Sequence, residues 1–249
     1  AVRRLTSRHQ HTPEIPGVDS DALNNYYAAI STDQDYRSPS LKESVRENQQ
    51  EYISEWEIFK ILDHLRPTTT GLDQLPSWFL RVGAPIFSKP LARLFNLSLA
   101  TSTVPQQWKN AVIKPIPKTS NPQQPSDFRP ISITPVLTRI MERTIVRQFL
   151  YPAFLSTSYT DSLLDQFGFR PTGSTTGALI AILHTVTNLL ATNPYVCIIA
   201  LDFSKAFDTV RHSTLLEKMA KLELPDNVYN WLVDFFYGHA HCTQYNGKV

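Results

Sequence analysis

Residues 195–201 form the longest uninterrupted apolar run of the chain, and the run ends directly on Asp202. It is far shorter than the roughly 20 apolar residues a membrane-spanning helix needs. It also follows a long helical pattern that stops at Pro194, and it is rich in β-branched side chains. Those features favour a short buried strand over 196–201 rather than a helix. An acid at the end of such a strand is costly unless something charged meets it. The fold must therefore be mixed α/β and must deliver Asp202 to a partner.

At 249 residues and 42% apolar content the chain can bury one or two cores. A net charge of +2 does not by itself announce a nucleic-acid binder, but the charge is uneven. Residues 1–60 carry more acids than bases, whereas 105–150 carry Lys109, Lys114, Lys118, Arg129, Arg139, Arg143 and Arg147 against only Asp127 and Glu142. The two cysteines, Cys197 and Cys242, have no metal-ligand spacing and give no disulfide framework. A reducing, intracellular setting is expected, nuclear or cytoplasmic, with no membrane anchor. The first residue is not Met and residues 246–249 read as a turn entering a strand, so both ends are expected to be cuts within a longer polypeptide.

The first fifty residues are polar and punctuated by Pro13, Pro16, Gly17 and Pro39, with one short helix expected over 23–30. Residues 1–53 read as a connector. Ser54 and Glu57 have the form of a capping box, and Ile58, Ile61, Leu62 and Leu65 recur at helical spacing, which predicts a helix over 54–65. After a loop at 67–73, Leu91, Leu94, Phe95 and Leu97 mark another helix that ends before Pro105.

Residues 111–118 alternate like a strand whose prolines keep it near a sheet edge, and 129–134 reads as a second strand after a Pro-rich turn. Together they predict a basic two-stranded hairpin. Thr134 is expected to cap the next helix with Pro135 at its first position, and Leu137, Ile140, Met141 and Ile145 predict that this helix packs beneath the hairpin. Ala178, Ile182, Val186 and Leu190 give a helix over 174–193, and further helices start near Ser213 and span 226–238.

A divalent cation is the natural partner for Asp202, since Mg²⁺ takes one or two protein carboxylates and fills its octahedron with phosphate oxygens and water. An isolated Asp more often just ends a strand. The surrounding words change that balance. The segment 198–208 resembles motif A of the non-LTR (LINE-type) retrotransposon reverse transcriptases. Upstream, in the same order, stand Trp108 with Lys114-Pro115-Ile116-Pro117-Lys118, then Asp127-Phe128-Arg129-Pro130-Ile131-Ser132, then Gln166-Phe167-Gly168-Phe169-Arg170-Pro171. Thr70-Gly71-Leu72-Asp73 with Leu75-Pro76 resembles the extra N-terminal motif of that branch, so the resemblance covers about residues 54–249.

The resemblance implies an α/β right-hand polymerase fragment: helical fingers with the basic hairpin over 54–193, then the start of an antiparallel palm sheet over 194–249. The implied activity is RNA-directed DNA polymerisation by two-metal (Mg²⁺) nucleotidyl transfer, with an RNA template, a DNA primer and dNTP as partners. Asp202 then corresponds to the motif A metal ligand and the carbonyl of Phe203 to a further ligand. Phe207 falls at the aromatic steric gate that excludes a ribose 2′-OH; an ordinary core Phe is the plain alternative. Lys118 and Arg129 match positions that reach the incoming triphosphate, where a point-charge ammonium and a forked guanidinium suit phosphate.

Gly168, Phe169 and Arg170 are placed near template or nucleotide. Lys114, Arg139, Arg143 and Arg147 read as a solvated face or loose contacts with template phosphates. Asp208 reads as a residue that holds the turn, and Lys205 as exposed.

The family's paired aspartates, the Gly-rich segment before them and the thumb are not within these 249 residues, so the chain alone is expected to be inactive. A different class of reading is a non-catalytic nucleic-acid-binding remnant that uses the basic hairpin alone. Nothing in the sequence specifies an oligomeric state.

Overall fold

The computed structural model describes residues 18–43, 52–155, 165–170, 173–203 and 206–249. Pro13, Pro16, Gly17, Pro171, Ser204 and Lys205 lie outside the described residues. The architecture is mixed α/β, with helices around a small three-stranded sheet of order β2-β1-β3.

Helix α1 (Ser20–Ser31) starts where the Asp19 carboxylate accepts the Ala22 N–H at 2.7 Å. Helix α2 (Glu55–Asp63) opens on the capping box anticipated from Ser54 and Glu57. Helices α3 (Ser77–Val82) and α4 (Ala84–Ala100) join at Gly83, and a 3₁₀ turn at Gln106–Lys109 leads into β1 (Asn110–Pro117). After β2 (Phe128–Ile133), α5 (Val136–Ile145) runs through a π-helical turn at Val146–Leu150 into α6 (Tyr151–Leu155). Helices α7 (Thr175–Leu190), α8 (His212–Met219) and α9 (Asp226–Phe236) precede β3 (Ala240–Thr243).

The main core gathers Ile58, Leu62, Phe95, Leu99, Ile140, Met141 and Trp231 from α2, α4, α5 and α9. Trp108 meets Phe95 edge-on at 5.5 Å, and the Trp231 indole donates to Ser98 Oγ at 2.9 Å, so both buried tryptophans are tied to α4. Asn96 closes the entry to α2: its Oδ1 accepts from the N–H groups of Tyr52 and Ile53, and its Nδ2 donates to the Ile53 carbonyl.

A second core lies behind the hairpin, where Val18, Leu23, Tyr27, Ile113, Phe128 and Tyr245 pack together. Helix α1 thus covers the hairpin. That overturns the expectation for α5, whose Ile140 and Met141 belong to the helical core. Leu23 and Tyr27, one helical turn apart, present an apolar face at the right place, and burying the Leu23 side chain is worth roughly 1.5–3 kcal/mol. The helix start also differs: Pro135 occupies the cap position without a side-chain bond, and Thr134 makes none. The segment around Lys42 is tied to α9, because Asn230 Oδ1 accepts its N–H and Asn230 Nδ2 donates to its carbonyl, both at 2.9 Å.

Strand β1 is central in its first half and an edge in its second. β3 pairs with it in parallel over Asn110 to Ile113 only, and Pro115 and Pro117, which lack an N–H, follow beyond that stretch. Two details of the expected strand pairing differ. Residues 196–201 join no strand, and from Cys197 onward they are exposed, with Ile199 at 79% and Leu201 at 88%. The C-terminal strand pairs in parallel with β1 rather than starting an antiparallel sheet with 196–201. An apolar run codes for burial, but its ladder must come from another segment, and no described residues supply one. Beyond β3, Tyr245 and Lys248 exchange backbone hydrogen bonds across Asn246 and Gly247, whose φ of 49° and 81° make the tight hairpin turn that Asn-Gly favours.

Candidate nucleotide-binding and catalytic site

The antiparallel register of β1 and β2 sets Ile116 opposite Arg129 and Pro117 opposite Phe128, and the Lys118 N–H extends the ladder to the Asp127 carbonyl at 2.7 Å. Alternation then separates two faces. Ala111, Ile113 and Phe128 turn inward, whereas Lys114, Ile116, Arg129 and Ile131 face solvent. Lys118 and Arg129 are diagonal neighbours on that outer face, a spacing of about 7–8 Å between backbones. The Lys118 ammonium donates to the Ser126 carbonyl at 2.7 Å.

The turn is fixed by Asp127, whose Oδ2 accepts the N–H groups of Gln123 (2.9 Å) and Gln124 (3.2 Å). These bonds, the one from Gln123 first, hold its carboxyl below the usual carboxylate range.

Two further side chains fasten this region. Arg139 was expected to be solvated or loosely on template phosphates; instead its Nη1 donates to Thr68 Oγ1 and its Nη2 to the Thr69 carbonyl, each at 2.6 Å. The loop it holds carries Gly71, where a Cβ would lie 2.6 Å from Pro135 N and 2.8 Å from the Thr134 carbonyl carbon. Only glycine permits that approach. The Thr70-Gly71-Leu72-Asp73 motif therefore docks at the foot of the hairpin. Lys109, buried at 6% side-chain exposure, pairs with Asp234 at 3.0 Å, and Asp234 also accepts the Val104 N–H at 2.7 Å. The sequence reading missed this pair, since a lone Lys and an Asp 125 positions later carry no local signal.

Asp202 and Phe203 stand on the exposed segment, and Asp202 Oδ1 accepts the Phe203 N–H at 2.9 Å. Phe207 is 81% exposed, so it is not a core residue. Its ring meets Phe169 edge-on, with centroids 5.8 Å apart and planes at 80°. A Cβ at Gly168 would meet nothing within 4 Å, and Gln166 Nε2 donates to the Gly168 carbonyl at 3.1 Å.

Asp208 lines a cavity of about 260 Å³ with Ser31, Asp33, Asp35, Thr209 and Arg211, across which Arg211 and Asp35 lie 3.6 Å apart. Burial, then Tyr26 and Asp208, push the Tyr27 phenol up to about 12.

The structure thus brings Lys118 to Arg129 and Phe169 to Phe207. No hydrogen bond or ion pair among the described residues joins the hairpin pair to Asp202. No group of three or more His, Cys, Asp or Glu among the described residues could hold a metal. One carboxylate and an adjacent backbone carbonyl are nevertheless hard oxygen donors of the kind Mg²⁺ takes, in the number it takes from protein when phosphates supply the rest. The donor set fits as part of a site. No helix among the described residues is long and apolar enough to cross a membrane.

A mixed α/β chain with this hairpin and this acidic segment belongs to the reverse transcriptase (RNA-dependent DNA polymerase) family, whose sequence model matches residues 116–249. It is similar to the RNA-directed DNA polymerase from the mobile element jockey of Drosophila melanogaster, with 33% identity over 140 residues, 56% of this chain and 15% of that protein. A probable RNA-directed DNA polymerase from transposon BS of the same organism is 31% identical over 136 residues, 53% of this chain and 14% of that protein. The Pol polyprotein from the type-2 retrotransposable element R2DM of that organism is 30% identical over 165 residues, 63% of this chain. These relatives are non-LTR retrotransposon proteins. The chain spans about 15% of their length.

Proposed function

We propose that this chain supplies the nucleotide side of an RNA-directed DNA polymerase from a non-LTR retrotransposon, with residues 54–193 as fingers and 194–249 as the first part of the palm. The observation that carries the reading is the hairpin register, which sets Lys118 beside Arg129 on the one face of the sheet left open to solvent. A triphosphate arriving there meets an ammonium and a planar guanidinium fork, and each charge-assisted contact is worth about 1.5–3 kcal/mol. Lys118 leaves a neutral carbonyl, Ser126, to make that contact. The partners are an RNA template, a DNA primer and a dNTP.

Asp202 and the carbonyl of Phe203 are the residues that would hold Mg²⁺. When bound, the metal supplies charge stabilisation at the α-phosphate under attack by the primer 3′-hydroxyl. What the chain itself contributes is orientation. Lys118 and Arg129 neutralise and align the triphosphate, Asp202 and the Phe203 carbonyl offer oxygen donors, and Phe207 occupies the volume that a ribose 2′-OH would need.

The test is Asp202→Asn in the full-length polymerase. The amide keeps the size and can still accept the Phe203 N–H, but it is a poor Mg²⁺ ligand. Extension should fall at least about 10²–10³-fold, the scale of one lost electrostatic contact at a transition state. Primer–template affinity and the thermal melt should hold. Extension at the wild-type rate would make Asp202 a structural residue.

A further inference from the structure

We infer that Phe169 is a positioning residue for the sugar gate: its ring stands edge-on to Phe207 and holds that ring in the orientation that meets the 2′ position of the incoming nucleotide. The inference rests on the reading of Phe207 as the gate. Two independent observations carry it.

The first is the ring contact, made between residues 38 positions apart in sequence at a centroid separation of 5.8 Å and an interplanar angle of 80°. That is the favoured edge-to-face arrangement. Phe207 is 81% exposed and belongs to neither buried core, so the core does not choose its rotamer. An unrestrained ring would sample its staggered wells, and a gate that swings excludes nothing. Phe169 supplies the missing restraint.

The second is the backbone of Phe169, at φ 56°. A residue with a Cβ is disfavoured in this left-handed region, and glycine is not. A glycine stands immediately before it, at 168, yet the left-handed position falls on the phenylalanine. Disfavoured backbone of this kind persists where surrounding structure over-determines it and clusters at functional sites.

Here the surroundings are identifiable. Gln166 Nε2 donates to the Gly168 carbonyl at 3.1 Å, and the Gly173 N–H donates to the Arg170 carbonyl at 3.0 Å. A Cβ at Gly173 would run into the Phe167 carbonyl. Ser174 Oγ then accepts the Gly177 N–H at 2.9 Å and starts α7. Phe169 sits between these two closures with its ring 88% exposed, displayed rather than buried, and the neighbour that ring meets is the candidate gate.

The experiment measures kcat/KM for single-nucleotide addition of dNTP and rNTP by the full-length polymerase. The variants are Phe169→Ala, Phe169→Gly, Phe169→Tyr, Phe207→Val and the double F169A/F207V, with primer–template Kd measured for each. Phe169→Ala should raise the rNTP-to-dNTP ratio about two- to tenfold, the range an edge-to-face ring pair contributes. Phe169→Gly, which relaxes the backbone and also removes the ring, should do the same. Phe169→Tyr, which keeps the ring, should restore discrimination. The double variant should be no more permissive than Phe207→Val alone. Because the ratio is taken within one enzyme, a general loss of activity cancels.

A ratio unmoved by Phe169→Ala and Phe169→Gly, with Phe207→Val permissive, overturns the inference and leaves the gate standing. So does a Phe169 effect that persists undiminished on the Phe207→Val background. Loss of primer–template affinity at an unchanged ratio would make Phe169 a template contact instead. If Phe207→Val itself leaves the ratio unchanged, the gate reading fails and this inference fails with it.

Discussion

Glu142 makes the stability of helix α5 depend on pH, and the sign follows from where its neighbour is spent. It lies three residues after Arg139 on α5, but both ends of that guanidinium fork are turned to Thr68 and Thr69. The carboxyl is half-buried, and burial pushes it up from 4.5 to about 7, with Arg139 pulling it down less strongly. A raised acid keeps its proton in the folded chain where the unfolded chain has lost it. Its contribution is therefore fully present below about pH 4.5 and is lost as pH rises through about 7. At about 1.4 kcal/mol per unit the shift is worth about 3 kcal/mol, or about 2 after allowance for the part of the side chain that water reaches.

Urea melts followed by the fluorescence of Trp108 and Trp231, taken from pH 5 to pH 8, read this directly. His239 works in the opposite sense, because burial lowers it and the folded chain resists a proton the unfolded chain accepts. The informative quantity is thus the difference between the wild-type chain and Glu142→Gln. That difference should grow by about 2 kcal/mol across the range in favour of the glutamine. Parallel stability curves would refute the argument.

Three other outcomes follow from the same structure. Lys109→Met strands the partly buried Asp234 carboxylate and should cost about 2–4 kcal/mol in a urea melt, while the double variant with Asp234→Leu recovers much of the loss. Gly71→Ala drives a Cβ into the backbone of Thr134 and Pro135, which cannot yield as a side chain would, so the melt should fall by about 1–3 kcal/mol. Lys118→Ala and Arg129→Ala in the full-length polymerase should each raise the KM for dNTP about tenfold or more and move primer–template Kd less, as steady-state kinetics and filter binding will show. Equal effects on both quantities would mean that these cations hold nucleic acid rather than nucleotide.

What the sequence made legible is what local chemistry decides. The Ser54–Glu57 capping box, the helical spacing from Ala178 to Leu190 and the alternation through 111–118 are each written within a few residues, and each appears where expected. Residues 196–201 show the converse, since an apolar run announces burial without naming its ladder partner. Helix α1 was legible as a helix but not as the cover of the hairpin, because Leu23 and Tyr27 are a small apolar face within a polar stretch. Among the site residues, types came through the family resemblance, whereas the meeting of Phe169 with Phe207 depends on long-range placement that no spacing encodes.

The hairpin joins the two kinds of information. Side chains alternate strictly along a strand, so sliding β2 by one residue against β1 would turn Arg129 to the inner face and Phe128 to water. Two constraints forbid that slip. Asp127 fixes the turn through Gln123 and Gln124, and the second core accepts only Ile113 and Phe128 on the inner face. The first is local and readable. The second is supplied by Leu23 and Tyr27, about ninety residues upstream in sequence, and by Tyr245, which meets Phe128 edge-on at 5.6 Å. Helix α1 touches no nucleotide in this reading, yet by burying one face of the hairpin it decides that the other face carries Lys118 and Arg129.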